Sequence, residues 1–339
     1  MFKQLLAKCI DGYTLTEEEA YEAMMMIMSG EASASQIASF LSILRLRGET
    51  VDELTGLVKA MRSRMMTLDY EEEVIDTCGT GGDGASTFNI STAAAIVVSS
   101  LGVKVAKHGN RAVSSKSGSA DVLEALHIDI QATPEEAKQA LKTKGLAFLF
   151  APLYHSAMKY AALPRKEIGF RTVFNLIGPL SNPARCKRQV IGVYSTQYAE
   201  KLAETLHRLG SEHVLLVTGK DGLDECSISA ETDVVELKHG EIRRFTIAPE
   251  QYGLARGKLE HVQVRTVQQS AELLKAVVEG RANESAINIV ILNAGVALYA
   301  AGKAATIREG VEMAKEAMMT KKAYEQFERL RMKEVEKYA

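Results

Sequence analysis

The sequence predicts an α/β protein: a large domain with a mainly parallel central sheet flanked by helices, plus a small all-helical domain. Three observations predict it. The first ~70 residues carry helical patterns and no strand pattern. From Val74 onward, short apolar runs alternate with helical runs, which is the signature of right-handed βαβ units and a parallel sheet. The 339 residues are enough for two domains.

In the first part, Thr16 with Glu19, Ser33 with Gln36 and Thr50 with Glu53 each fit a capping box, in which side chain and backbone satisfy each other's orphan donors. Gly12, Gly30 and Gly48 fall between the helices, where a left-handed stop suits glycine. AMMMIMSG (23–30) and IASFLSILRLRG (37–48) are apolar nearly all round. Four helices cannot bury both on every side. They pack on the rest of the chain or form a homodimer through the N-terminal helices; the Met-rich surface favours the dimer, with Met25 and Leu44 as candidate partner-facing residues.

After the acidic linker LDYEEE (68–73) the alternation begins. VIDTCG (74–79) reads as a strand, 89–101 as a helix, VKVAKH (103–108) as a strand and 109–119 as a loop before a helix from about 120. Thr133-Pro134-Glu135-Glu136 opens a helix that leads to the strand GLAFLF (145–150). QVIGVYS (189–195), the helix 197–209 and HVLLVTG (213–219) repeat the theme. TDVVELKHGEIRRFTI (232–247) is a hairpin turning at His239-Gly240, and the chain is helical from about 268. AINIVILNAGVALYAAG (286–302) is too short for a membrane span, contains two asparagines and is expected in the core.

Apolar residues are 46% and charged residues 25%, ordinary for a globular enzyme. Lys and Arg number 41 against 43 Asp and Glu, a net charge of −2, so no global basic field points to nucleic acid or a membrane surface. Cys9, Cys78, Cys186 and Cys226 show no CxxC spacing, which argues against a zinc site or a disulfide framework and fits a reducing cytoplasm. The N-terminus lacks a signal-peptide layout.

Four stretches carry candidate chemistry. In DTCGTGGDGASTFNIST (76–92) a Gly-rich turn joins a strand to a helix. Bare backbone N–H groups and the positive helix end form an anion cradle, although tight strand–helix packing uses the same composition. No GK[ST] follows, so it is not a Walker A loop. Asp83 would repel phosphate unless it faces a sugar hydroxyl, an ammonium or a metal, so the ligand is expected to carry hydroxyls or a divalent cation as well. Asn89, Ser91 and Thr92 start the helix, where N-capping alone would account for them. AKHGNRAVSSKSGSAD (106–121) adds cationic Lys107, Arg111 and Lys116 among serines, after a neighbouring parallel strand; both loops would open on one crevice. VTGKDGLDECS (217–227) brings Asp221, Asp224 and Glu225, a solvated turn or, opposite phosphate cradles, a Mg²⁺ holder. In the stretch 150–184, broken by prolines, Arg165 follows Pro164 and could grip a planar carboxylate or close a domain joint. His155 is a ligand contact or a packed histidine.

GTGGDGASTFNIST, KHGNRAVSSKSGSAD, FAPLYHSAMK, FRTVFNLIGPLSNPA and DGLDECS, in this order, resemble the anthranilate phosphoribosyltransferase family, and the resemblance covers most of the chain. Ser156 stands where the family often has proline, and the basic run at Pro164-Arg165 is shorter. The resemblance implies a pentosyltransferase of tryptophan biosynthesis that joins anthranilate to 5-phosphoribosyl 1-diphosphate (PRPP). It implies a small domain of residues 1–70 with helices from about 160–185, a large domain over 71–339, an active site at the hinge and a cytoplasmic homodimer. By the same resemblance PRPP is held by Gly79, Gly82, Asp83, Thr87, Asn89, Ile90, Ser91 and Thr92, by Lys107, His108, Gly109, Asn110, Arg111, Ala112, Val113, Ser114 and Ser115, and by Ser119. Two Mg²⁺ ions are implied, one on Ser91 and Glu225, the other on Asp224 and Glu225. Gly79, Asn110, His155 and Arg165 would line the anthranilate site. Lys107 would stabilise the departing charge, with Asn110 and Arg165 positioning the amine and no general base assigned. The rival readings are a pyrimidine nucleoside phosphorylase and a nucleic-acid-binding protein of the same fold.

Overall fold

The computed structural model describes residues 1–112 and 116–331. Four helices come first: α1 (Phe2–Ile10), α2 (Glu17–Ser29), α3 (Ala34–Arg47) and α4 (Val51–Arg64). All three expected capping boxes are present at the starts of α2, α3 and α4. Then follow β1 (Ile75–Gly79), α5 (Ile90–Ser100), β2 (Val105–Gly109), α6 (Ser119–Ala125), α7 (Pro134–Lys144) and β3 (Leu146–Phe150). The short helix α8 (Ala151–Tyr154), α9 (Lys159–Ile168) and α10 (Val173–Ile177) lead back to β4 (Arg188–Gly192). The chain continues through α11 (Thr196–Arg208), β5 (His213–Gly219), β6 (Thr232–Lys238) and β7 (Glu241–Ile247). It ends with α12 (Val267–Val278), α13 (Glu284–Ala300), α14 (Ile307–Met319) and α15 (Lys322–Leu330).

The strands form one sheet in the order β3-β2-β1-β4-β5-β6-β7. The pairs among β1 to β5 are parallel, and β6 and β7 add an antiparallel hairpin at the edge. The hairpin turns at His239 and Gly240, both with positive φ, the geometry of a two-residue turn that matches strand twist. The strand order reverses between β1 and β4. In an open parallel sheet the loops at such a switch point splay apart at the strand carboxyl ends and leave a crevice.

Alternate residues of the central strands feed two cores. Leu215 and Val217 of β5 face a core built with α5 and α12 to α15. Val214 and Leu216 face the other core, which runs through α11 into the N-terminal helices. Helix α9 packs on α2 and α3, and α10 on α3 and α4. The all-round apolar helices are therefore absorbed largely within the chain. Leu44 is fully buried, and Met25 is half-buried against the same core. Leu44 is thus not available to a partner, contrary to expectation; the large apolar residues left exposed in residues 1–70 are Met1, Ile10, Tyr13, Leu46 and Met66. Helix α13 lies in the core as predicted, and among the described residues no helix is long and apolar enough to cross a membrane.

Away from the crevice, the sheet buries a charged network. Glu236 of β6, fully buried, accepts hydrogen bonds from Tyr299 Oη (2.7 Å) and Arg243 Nε (2.6 Å) and pairs with His213 Nε2 (2.8 Å). Burial alone would raise its pKa, but these partners outweigh burial and hold the carboxyl down at about 2. Such a depressed group contributes stability above the ordinary glutamate range and loses it as pH falls toward 2. Glu236→Gln should cost roughly 2–4 kcal/mol at neutral pH in urea unfolding. The gap between variant and wild type should narrow below pH 4; an equal gap at pH 7 and pH 3 would show that the charge is not what the network uses.

Candidate active site

The crevice is built where β1, β4 and the loop after β5 meet. Thr80 N–H donates to the Gly192 carbonyl (2.8 Å), locking the ends of β1 and β4 together. The loop carrying Asp224 lies on both strand ends. A Cβ on Gly79 would stand 2.5 Å from the Asp224 carboxylate, and one on Gly192 would overlap the Asp224 backbone carbonyl. The carboxylate of Asp224 accepts the Gly81 N–H (2.7 Å). Gly81, Gly82 and Gly84 all have positive φ, so the Gly-rich turn takes a path few side chains permit. Asp83 accepts the Ala85 N–H (3.1 Å) and, at 3.5 Å, the Asp224 N–H.

The second wall is the start of α5. The Ser91 N–H donates to Glu225 Oε1 (3.0 Å). Lys107, buried on β2, donates to the Thr77 carbonyl and to Ser91 Oγ (3.3 Å). Asn89 occupies the N-cap position but does not cap. Its Oδ1 accepts from Ser117 Oγ (3.2 Å) and Ser270 Oγ (2.8 Å), which moors the helix start to the second loop and to α12.

Together these elements line a cavity of about 280 Å³. Of the PRPP candidates, Gly79, Gly82, Asp83, Thr87, Asn89, Ile90 and Ser91 line it from the first loop. Lys107, His108, Gly109, Asn110, Arg111, Ala112 and Ser119 line it from the second, and the metal candidates Asp224 and Glu225 from the third. Thr92 stands apart: its buried hydroxyl has no hydrogen-bond partner among the described residues, and it does not line the cavity. Arg111 reaches the rim, but its guanidinium is engaged by Asp121 (2.9 Å) and Glu124 (2.8 Å). Val113, Ser114 and Ser115 lie outside the described residues. Asp221 is taken up by the Ser227 and Ser229 hydroxyls and shapes the turn instead of lining the cavity.

Electrostatically the cavity is poised for a cation. Burial pushes the Glu225 carboxyl up to about 7, opposed chiefly by Lys107. Burial, with Asp83 and Glu225 beside it, pushes Asp224 well above the usual carboxylate range. Among the described residues no three His, Cys, Asp or Glu side chains gather as a self-sufficient metal cage. Two carboxylates with a serine hydroxyl suit Mg²⁺, which takes few protein ligands and completes its shell from substrate oxygens and water.

A second cavity, about 420 Å³ and largely apolar, adjoins the first through Gly79, Gly109 and Asn110. Arg165 and His155, two of the residues expected around anthranilate, both line it. Arg165 is half-buried with its guanidinium 4.9 Å from the Phe174 ring centroid. Pro164 does not break the chain; α9 runs through it, because only the Tyr160 carbonyl loses its helical donor and the helix ends a turn later at left-handed Gly169. His155 and His108 face one another at 5.2 Å between ring centroids. Each is buried with an Nε2 that has no partner among the described residues, and burial holds their pKa values down at about 4 and about 3. Both are neutral at physiological pH.

Sequence reasoning missed the residues that hold this arrangement. Asp76, fully buried on β1, accepts the His108 N–H (3.2 Å) and the Asn182 amide (2.8 Å). Asn182 also donates to the Ala106 carbonyl (2.8 Å). Asn175 lines both cavities. A polar residue inside an apolar strand run was the available signal for Asp76; Gly192, Asn175 and Asn182 carry none in the sequence.

A model of the "glycosyl transferase family, a/b domain" matches residues 71–324, and one of the "glycosyl transferase family, helical bundle domain" matches residues 3–65. Anthranilate phosphoribosyltransferase of Geobacillus sp. (strain WCH70) is 98% identical over 339 residues, covering 100% of both chains. The crystal structure of the Thermus thermophilus enzyme superposes with a TM-score of 0.90 at 42% identity, over 96% of this chain and 98% of that one. The Saccharomyces cerevisiae enzyme in complex with PRPP and Mg superposes with a TM-score of 0.88 at 27% identity, over 97% and 96%. The crevice at the sheet's switch point and these likenesses agree, and the chain belongs to the anthranilate phosphoribosyltransferase family.

Proposed function

We infer that the two adjoining cavities divide one group transfer between them. The chain transfers the 5-phosphoribosyl group of PRPP to the amine of anthranilate, releasing pyrophosphate, in tryptophan biosynthesis. The observation that carries the assignment of parts is their adjacency: a polar cavity with cation-holding carboxylates shares Gly79 and Asn110 with an apolar cavity bearing one arginine. A phosphorylase would have no use for the acidic pair.

In this reading PRPP occupies the first cavity, on Gly79, Gly82, Asp83, Thr87, the start of α5 and the loop from Lys107 through Ser119. Lys107 faces the charge that develops on the leaving diphosphate. Ser91, Asp224 and Glu225 would hold Mg²⁺, as two ions. The metal, when bound, supplies positive charge against the diphosphate oxygens. Anthranilate takes the second cavity. Arg165 meets its carboxylate and Asn110 orients the amine toward the ribose carbon. The aromatic amine is neutral, so attack needs placement more than a strong base. The unpartnered Nε2 atoms of His155 and His108 are acceptors for N–H groups, which supports an amine there.

The reading divides the chain into a small domain, residues 1–70 with the helices of about 160–185, and a large domain over the rest, with the crevice at the hinge. The four free, buried cysteines support a cytoplasmic setting. Ile10, Tyr13 and Leu46 are the apolar surface on which we place the homodimer contact.

Three outcomes are expected. Asp224→Asn/Glu225→Gln should keep its ligand-free melting temperature yet lose most activity at low Mg²⁺ and regain part of it at high Mg²⁺. Unchanged kinetics across the Mg²⁺ titration would refute the metal assignment. Arg165→Ala should raise KM for anthranilate about tenfold or more, from a lost charge-assisted contact of roughly 1.5–3 kcal/mol, with a smaller effect on KM for PRPP; equal changes in both would place Arg165 elsewhere. Leu46→Glu should convert the dimer to monomer in sedimentation without unfolding it, since Leu46 is 91% exposed in the single chain. A wild-type chain that sediments as a monomer at micromolar concentration would remove the dimer from the reading.

A further inference from the structure

A third cavity, of about 570 Å³, lies against the Gly-rich turn and adjoins the two already described, sharing Asn175 with both and Arg165 with the second. Its wall holds four cations: Arg45 from α3, Arg165 and Lys166 from α9, and Arg171 from the segment before α10. The facing wall is the turn itself, at Gly82, Asp83, Gly84 and Ser86. Among the described residues Asp83 is the only carboxylate in the lining.

None of the four cations forms an ion pair among the described residues. Arg45 donates to Tyr198 Oη (2.6 Å), and Arg171 sits 4.4 Å from the Tyr194 ring centroid. The Arg171 guanidinium presses on the turn: a Cβ at Gly82 would stand 2.6 Å from its Nε. Glu49 is the acidic neighbour of Arg45; burial pushes its carboxyl up, which weakens it as a counter-charge. Four like charges converging on one space repel each other, and a polyvalent anion relieves that repulsion.

Gly82, Asp83 and Ser86 line both this cavity and the PRPP cavity, so one thin wall separates them. We propose that the third cavity is a second diphosphate site, which receives the pyrophosphate product after it leaves the first. This rests on the PRPP assignment above. A diphosphate matches the site because its several oxygens can meet cations from α3, α9 and the α10 approach while its other end reaches the N–H groups of the turn. Bridging these elements, it would draw the helical layer onto the Gly-rich turn.

Equilibrium dialysis tests this with the full chain, Mg²⁺, ribose-labelled PRPP at saturation and separately labelled inorganic pyrophosphate, in the absence of anthranilate. The expected result is one PRPP and one pyrophosphate per chain. Lys166→Gln/Arg171→Gln should weaken pyrophosphate binding at least tenfold and leave PRPP affinity within about twofold. Circular dichroism checks the fold of the double variant, and Lys166→Gln alone, a surface change, should still weaken pyrophosphate severalfold. Pyrophosphate bound only by displacing PRPP, or held unchanged by the variants, would overturn the proposal. Two equivalents of ribose label would give the cavity to the diphosphate of a second PRPP and overturn the product assignment. Absence of any PRPP binding would instead strike the first site, while pyrophosphate binding in the cavity would still be read directly.

Discussion

The close approach of one acidic loop to two bare strand ends governs this molecule. Asp224 rests on Gly79 and Gly192, the last residues of the two strands that flank the switch point. A single methyl group at either position would push the loop away. With the glycines in place, the Asp224 carboxylate reaches the Gly81 N–H and Glu225 reaches the start of α5. Three chain segments far apart in sequence thus become one surface. Their register is set by the parallel pairing of β1 with β4 and of β4 with β5, which brings the carboxyl ends of these three strands to the same edge.

That surface carries charge of both signs at close quarters, and the balance is asymmetric. Lys107 is buried and its ammonium is bonded to the Thr77 carbonyl and the Ser91 hydroxyl. Glu225 is buried too and Asp224 half-buried, and desolvation drives both carboxyl pKa values up. A buried carboxylate without a cation is costly, whereas a buried lysine satisfied by oxygens is tolerable. The cavity is therefore short of positive charge on its acidic side and short of negative charge beside its lysine. A magnesium diphosphate supplies both deficits at once, which neither a free metal nor a free anion can do. Beneath it, Asp76 fixes the His108 backbone and the Asn182 amide, so the loop after β2 leaves the sheet from an anchored strand end.

Much of this was legible in the sequence, for definable reasons. The capping boxes, the Gly-rich turn and the strand–helix alternation are local, and local rules found them at nearly their observed boundaries. The homologous motifs grouped residues that the fold then lined up around the cavity. What stayed hidden depends on contacts across the chain. Nothing near Gly192 in sequence tells that Asp224 will lie on it, and nothing near Asp76 tells that Asn182 will meet it. Periodicity marked α3 as apolar all round but could not say that α9 and α10 would cover it and bury Leu44. Pro164 read as a break, yet the surrounding packing holds α9 together through it.

The contrast between the two cavities suits a transfer that relies on charge and placement, as proposed above. One side is polar and charged, matched to a leaving group that gains negative charge. The other is apolar, with two neutral imidazoles and one arginine, matched to a nucleophile that carries its charge on the carboxylate and none on the reacting nitrogen. A protonated histidine there would repel the positive charge that grows on the ribose and would have no acceptor to offer an N–H. Burial prevents this by holding both imidazoles neutral. The strand ends between the cavities are the glycines Gly79 and Gly109, and Asn110, His108 and Asn175 line both sides of the junction. With the substrates divided between the cavities as proposed, rate enhancement would come from charge placement on one side of Gly79 and orientation on the other.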